Sequence, residues 1–376
     1  MYKVKKVLYI VTVPNIGGVN KYLIEFAKNT KHEYIPYFIM TNKGYLSEEL
    51  EKLGYKQNIF YTSITNKVYD IKTLINSINT INNIIRNIKP DIIHCNTMPG
   101  GVVGRICGLI TKTSVVYVPH SWAFTPGGRN KCFIILYAII EMVLSIITDN
   151  IICVSEYEKK LALRIMPFFK SKFVTIHNGI SDISEKYKKT DFSKSELNIV
   201  MISRFCPQKD PYTLISAVHD LNRDGYNVKL DLYGYGPDLE KVLESIKNQN
   251  DKKIQYKGEI SDVTPILKNY DVYALISNWE SLPIGIIEAM RSGLPLLVSN
   301  VGGNSECVKN NGYLVERSDI SNCKEQIKKL YELGDKKIVL GQNSRSLYEK
   351  EFSVGKMINE TLKIYSKLKR KENESI

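Results

Sequence analysis

The chain has 376 residues, 43% hydrophobic and 24% charged; the length fits two domains of ordinary size and the composition excludes low-complexity and collagen-like classes. Its formal net charge of +13 is lopsided: residues 1–190 carry 25 Lys and Arg against 13 Asp and Glu, whereas residues 191–376 carry 27 against 26. That excess suggests an anionic neighbour for the N-terminal half, a membrane surface, a lipid diphosphate or nucleic acid, and a solvated basic surface explains it equally well.

The first segment, MYKVKKVLYIVTV, is basic and then apolar, but its apolar run is too short for a signal peptide and reads as a buried β-strand. Gly17-Gly18 follows it, a candidate phosphate-cradling loop in which backbone can approach a ligand closely. It lacks the G-x-G-x-x-G spacing of a nicotinamide site. Strands are predicted at Lys6 to Val13, Tyr34 to Met40, Asp91 to Cys95, Ser114 to Val118 and Asn150 to Val154, alternating with helical stretches as in βαβ units. His120 stands just past one of these strands and is either a structural histidine or a site residue. The loop Ser121 to Lys131, with two glycines and Arg129, would shape the same region.

The longest apolar stretch, Phe133 to Thr148, carries Glu141 mid-run, falls short of a bilayer span and reads as a buried or interface helix. Glu158 to Lys172 has an amphipathic look, with Lys159, Lys160, Arg164, Phe168 and Phe169 suggesting peripheral attachment to an anionic membrane; a core helix with a charged edge fits the same pattern. His177-Asn178-Gly179 reads as a hinge turn, because Asn-Gly accepts left-handed backbone angles. The polar segment Ser181 to Glu196 is the expected linker, giving domains at 1–180 and 197–352.

A second alternating series follows: Leu197 to Ser203, Val228 to Tyr233, Asp271 to Ile276, Pro295 to Ser299 and Tyr313 to Val315. After its first strand comes Ser203-Arg204-Phe205-Cys206-Pro207-Gln208-Lys209-Asp210, where Arg204 and Lys209 can converge on one diphosphate, the first as a fork and the second as a point charge. Gly234-Tyr-Gly236-Pro237 is a strand-end turn. Glu280-Ser281-Leu282-Pro283 then leads from a strand into a helix that carries Glu288. Such a helix start suits phosphate, and the two carboxylates could hold two hydroxyl-bearing rings. Alternatively they are a helix cap and a solvated glutamate. Val301-Gly302-Gly303 offers backbone amides, and Glu306 is as readily a helix cap. A terminal helix is predicted over roughly 353–370.

Seven cysteines form no C-x-x-C pair, as expected of free thiols in the cytosol. No His/Cys grouping has metal-ligand spacing, so no metal site is expected; His94 and Cys95 would point to opposite strand faces. No basic-aromatic module for nucleic acid is recognisable.

Glu280, Glu288, Ala289, Met290, Gly293 and Pro295 match a signature of two glutamates separated by seven residues, then Ala-Met and Gly-x-Pro. On these residues, with Arg204 and Lys209, the chain resembles glycosyltransferase family 4 of the GT-B fold; Ser281 departs from the glycine of many members. The resemblance implies two Rossmann-like α/β domains whose parallel sheets face across a cleft, with the last helix packing back on the first domain. It implies a retaining, metal-independent transfer of a hexose from a nucleotide-diphosphate sugar to a glycan or lipid-linked acceptor, in surface polysaccharide synthesis such as capsule. Closure of the domains over the substrates would exclude water.

By the same resemblance Arg204 and Lys209 stabilise the departing nucleotide diphosphate, Glu280 lies at the donor sugar and Glu288 at the ribose. Gly17, Gly18, Gly234, Ser281, Leu282 and Pro283 would line the donor site, and His120 would be the acceptor-side histidine. No cofactor beyond the donor substrate and no nucleic-acid partner is implied. Apart from the resemblance, the free thiols point to a cytoplasmic setting, and the basic N-terminal half with Glu158 to Lys172 suggests peripheral contact to the inner membrane face. Two other readings stay open: a catalytically silent nucleotide-sugar-binding partner subunit, and a nucleotide-sugar epimerase on the same fold.

Overall fold

Uninterrupted Val, Ile and Leu runs bury both strand faces, which is the condition for parallel sheets covered by helices on each side. The computed structural model, describing residues 5–12, 17–65, 70–127, 130–192 and 195–368, has two such sheets. Contacts divide the chain into two units: Met1–Thr125, Arg129–Gly179 and Val354–Ile376 form the first, Pro126–Gly128 and Ile180–Ser353 the second.

In the first unit the chain runs β1 (Lys5–Ile10), α1 (Gly18–Asn29), β2 (Tyr34–Met40), α2 (Tyr45–Lys52), β3 (Ile59–Tyr61) and α3 (Ile71–Ile88). It continues with β4 (Ile92–Asn96), α4 (Thr97–Thr111), β5 (Ser114–Val118), α5 (Lys131–Ile146), β6 (Asn150–Cys153), α6 (Glu156–Ile165) and β7 (Phe173–Thr175). The seven strands lie in the order β3-β2-β1-β4-β5-β6-β7 and every pairing is parallel. Chain order reverses between β1 and β4, where Val7 stands beside Ile92. In doubly wound sheets that switch point is where ligands bind.

The second unit repeats the plan with β8 (Leu197–Ile202), α7 (Pro211–Arg223), β9 (Val228–Tyr233), α8 (Leu239–Gln249), β10 (Ile254–Tyr256), α9 (Thr264–Leu267) and β11 (Val272–Leu275). Then come α10 (Ile284–Arg291), β12 (Leu296–Ser299), β13 (Gly312–Val315), α11 (Ile320–Glu332) and α12 (Lys337–Glu351). The order is β10-β9-β8-β11-β12-β13, again parallel, with the reversal between β8 and β11. Asp210 caps α7 by accepting a bond from Thr213 N (3.2 Å), and Pro211 takes the first helical position, where no N–H is needed.

The last helix, α13 (Val354–Lys367), belongs to the first unit. Its Tyr365 hydroxyl lies 2.5 Å from His94 Nδ1 and 3.3 Å from the Tyr9 hydroxyl. No helix among the described residues is long and apolar enough to cross a membrane. All seven cysteines are free.

Three details depart from the sequence reading. Asn178 and Gly179 do not adopt positive φ, so the turn there needs no left-handed residue. Glu158 to Lys172 is not one helix: α6 stops at Ile165, and Pro167 to Lys172 forms a separate 3-10 turn. The apolar stretch that becomes α5 buries only Glu141, Leu144 and Ser145.

Candidate functional site

In the second unit, the chain leaving β8 is held on both sides before its side chains are placed. On one side it pairs with the turn after β9, through Ser203 N to Tyr233 O (3.1 Å), Phe205 N to Tyr235 O (2.7 Å) and Asp238 N to Phe205 O (3.1 Å). So close an approach requires glycine. A Cβ on Gly234 (φ +146°) would stand 1.8 Å from Ser203 O, and one on Gly236 (φ +143°) 2.1 Å from Phe205 O. Phe205, fully buried, pegs the loop to the core.

On the other side the loop is stitched across the switch point to the chain leaving β11. Asp210 N donates to Ile276 O (3.0 Å), Asn278 N donates to Gln208 O (2.8 Å), and Lys209 and Ser277 form an antiparallel bridge. This brings Lys209 to Glu280, 71 residues away in sequence, as an ion pair whose side chains are 12% and 5% exposed. Gln208 Nε2 donates to the other Glu280 oxygen and to Trp279 O, each at 3.0 Å. Both Glu280 oxygens therefore have donors, and the carboxylate is fixed.

Behind it, Gly302 (φ +59°) lets the turn after β12 rest on the Glu280 backbone; a Cβ there would lie 1.8 Å from Glu280 O. Glu288 projects from α10, half-buried. Tyr273 sits beneath α10 and donates to Ile202 O (3.3 Å); a Cβ on Gly285 would lie 2.4 Å from its hydroxyl. Burial, followed by the charges of Glu288 and Glu280, holds this phenol protonated well above its usual range.

Arg204 is exposed and has no partner among the described residues. The hydroxyls of Ser203, Ser277 and Ser281 are buried and lack hydrogen-bond partners among the described residues. Orphaned polar groups of this kind at the carboxyl ends of parallel strands mark where a polar ligand would complete the network. Ser281 precedes α10, Leu282 is a core residue at 4% exposure, and Pro283 caps the helix.

The first unit gathers its own group at the ends of β1, β4 and β5. Asn96 Nδ2 donates to Ile10 O (3.4 Å) and His94 O (3.3 Å), which turns Oδ1 toward His120 Nε2 at 2.9 Å. The ring therefore donates through Nε2, leaving a lone pair on Nδ1. Tyr22 packs edge-on against the imidazole, ring centres 4.8 Å apart. Burial pushes the His120 pKa down to about 3, so the ring is neutral. His120 (φ +57°) and Thr97 (φ +62°) both have left-handed backbone, uncommon for such residues and typical of functional sites. Thr97 Oγ1 lies 3.1 Å from Thr12 Oγ1 at the end of β1.

Gly17 caps α1 in extended backbone and Gly18 is its first residue. Residues 13–16 of that loop, and Gly128 and Arg129 of the loop after His120, lie outside the described residues. Gly127 groups with the second unit, against the Trp279 ring. Sequence reasoning missed Gln208, Tyr273, Asn96 and Tyr22; Gln208 and Asn96 carried a signal, one adjoining Lys209 and the other ending a strand. Among the described residues no three His, Cys, Asp or Glu side chains gather as a metal-ligand set.

Two family models match, one described as Glycosyl transferases group 1 over residues 182–347 and one as Glycosyltransferase Family 4 over residues 16–182. The O-antigen biosynthesis glycosyltransferase WbnH of Escherichia coli is 28% identical over 318 residues, covering 84% of this chain and 87% of WbnH. An Escherichia coli UDP-Gal:alpha-D-GlcNAc-diphosphoundecaprenol alpha-1,3-galactosyltransferase is 25% identical over 382 residues, covering 96% of each chain. The crystal structure of Anabaena Alr3699/HepE in complex with UDP superposes with a TM-score of 0.79 at 19% identity, covering 96% of this chain and all of that one.

Proposed function

The chain belongs to the glycosyltransferases described by the group 1 and family 4 models, and from that premise we propose a retaining, metal-independent hexosyltransferase that uses a nucleotide-diphosphate sugar. The acceptor in this reading is a glycan or lipid-linked saccharide of surface polysaccharide synthesis, the class named for the relatives. The observation that carries it is the Lys209–Glu280 pair straddling the β8/β11 switch point, beside Arg204, which has no partner among the described residues. A cytoplasmic setting suits seven free cysteines.

Cleavage of the sugar–phosphate bond leaves negative charge on the diphosphate. Arg204 would grip it as a fork and Lys209 as a point charge, together with first-turn amides of α10. Fixed cations of this kind lower the barrier by about 3 kcal/mol each, because they are oriented before the charge develops. Lys209 is shared: Gln208 keeps Glu280 bonded while the lysine turns part of its charge to the phosphate. Glu280 then accepts bonds from hydroxyls of the donor sugar, and Glu288 from the ribose. Gly234 and Gly236 hold the phosphate-side loop tight against β9.

On the acceptor side, the Nδ1 lone pair of neutral His120 accepts a sugar hydroxyl and orients it. With no separate nucleophile assigned, the acceptor oxygen attacks from the face the diphosphate leaves as the sugar–phosphate bond breaks, and its proton passes to an oxygen of the leaving diphosphate, which keeps the anomeric configuration.

The test is transfer to an acceptor saccharide followed by proton NMR of the new anomeric signal. The reading expects the donor's configuration in the product. Inverted product refutes retention. Binding without turnover identifies a silent subunit, and nucleotide release from donor alone an epimerase.

A further inference from the structure

Helix α5 is turned inside out. The residues it buries are Glu141, Leu144 and Ser145, while Phe133, Ile135, Ile139, Val143 and Ile146 stand 49–62% exposed. The cause is a buried charge pair: Glu141 accepts from Arg105 Nη1 (2.8 Å) and from the Tyr117 hydroxyl (2.9 Å), and Ser145 Oγ donates to Glu141 O (2.7 Å). These polar bonds fix the rotation of the helix and drive its apolar residues outward. A soluble helix normally does the reverse.

The apolar face continues beyond α5. Leu109 and Ile110 at the end of α4 are 60% and 49% exposed. Between α3, α4 and α5 lies a cavity of about 330 Å³, lined by side chains such as Leu74, Met98, Val102, Ile106 and Val143. At the other end Lys172 Nζ donates to Ser145 O (2.8 Å) and Ile146 O (2.9 Å), tying the Pro167–Lys172 turn to the end of α5. That turn carries Phe168, 93% exposed.

Charge identifies the occupant. From Ile92 to Thr148 the sequence has one acidic residue, Glu141, and it is buried and paired. Lys112, Lys131 and Lys170, at the edges of the face, are exposed. Apolar side chains edged by these lysines, in a stretch from 92 to 148 that has no exposed carboxylate, complement anionic headgroups above hydrocarbon. At sixteen residues α5 is about 24 Å long and too short to span a bilayer, so it would lie along the interface.

We infer that this face docks on an anionic phospholipid membrane, with α5 in the headgroup plane and the α3–α4–α5 cavity receiving a hydrocarbon chain. The contact centres on α5 rather than on Glu158 to Lys172, and it stands whether or not the sugar-transfer reading holds.

The experiment is flotation of the full chain with phosphatidylcholine vesicles, with and without about one third phosphatidylglycerol. Wild type floats with the anionic vesicles and far less with the neutral ones. Ile135→Gln/Ile139→Gln/Ile146→Gln lowers partitioning about a hundredfold, because three half-exposed isoleucines no longer enter hydrocarbon. Lys131→Glu/Lys170→Glu lowers it about thirtyfold or more. All substituted side chains are at the surface, so neither variant shifts the melting temperature or nucleotide-sugar binding. Absence of wild-type flotation, or equal flotation of the isoleucine variant, overturns the inference. So does a wild-type dimer that the isoleucine variant converts to monomer, since the face then pairs two copies.

Discussion

Replacing Lys209 by Ala separates what the ion pair does for the fold from what its cation does for the reaction. Glu280 is 5% exposed, and without Lys209 its charge is left with Gln208 as its one side-chain donor. Stranding a buried charge costs about 3–5 kcal/mol, and the lower end applies because Gln208 remains and the site has a solvent edge. For a unit of this size each kcal/mol moves the melting temperature by about 2–4 °C, so Lys209→Ala should melt about 6–12 °C below wild type. Turnover should fall by about 10²–10³, the loss of one oriented charge at the leaving group.

Lys209→Ala/Glu280→Gln removes the stranded charge. It should recover much of the melting temperature while turnover stays at or below that of the single variant. Differential scanning fluorimetry and initial rates of nucleotide release read the two quantities on the same samples, and the double-mutant cycle gives the coupling. A Lys209→Ala protein that melts with wild type and turns over at the wild-type rate would refute the reasoning.

Arg204→Ala should leave stability within about 0.5 kcal/mol of wild type, since the side chain is exposed and has no partner among the described residues, yet lower kcat about a hundredfold; a large thermal shift would contradict this. Gly302→Ala should destabilise far more than Gly258→Ala in thermal melts. Both glycines have positive φ, which costs about 1–2 kcal/mol for alanine, but a Cβ at 302 strikes Glu280 O whereas one at 258 meets nothing within 4 Å. Gly302→Ala should also raise the donor KM by displacing Glu280. Burial, with His120 nearby, pushes the His94 pKa down to about 3, against about 6.5 in an unfolded chain. In that window the unfolded state binds a proton that the folded state does not, so stability falls as pH falls. His94 accounts for about 2 kcal/mol of the loss from about pH 7 to about pH 5, measured by urea melts, and His94→Gln should remove that share while the share of His120, held down in the same way, remains.

The parallel strands were legible because long β-branched runs leave no polar face. The edge strands β3, β7 and β10 were not: each has three residues, and pairing such as Phe38 beside Ile59 sets them rather than any local period. Gly234 and Gly236 read as a turn and Gly302 as a source of backbone amides, and how tightly all three pack became visible only against the carbonyls they approach. The apolar run of α5 read as a buried or an interface helix, and the choice between the two was not legible for a related reason: its rotation depends on Arg105, 36 residues away. Lys209 and Glu280 could be named from motif resemblance, but their direct pairing across the switch point could not, because a backbone bridge between distant loops creates it. His120 stood out as a lone strand-end histidine and, by resemblance, as the acceptor-side one. Its tautomer is set by Asn96, whose orientation depends in turn on Ile10 O and His94 O.

Isothermal titration of UDP, GDP and ADP against wild type and Arg204→Ala bears most directly on whether the second unit holds a nucleoside diphosphate at β8 and β11. The expected result is saturable one-to-one binding of one of the three by wild type, weakened about tenfold or more in the variant. Binding that is absent for all three, or unchanged by Arg204→Ala, would contradict the account.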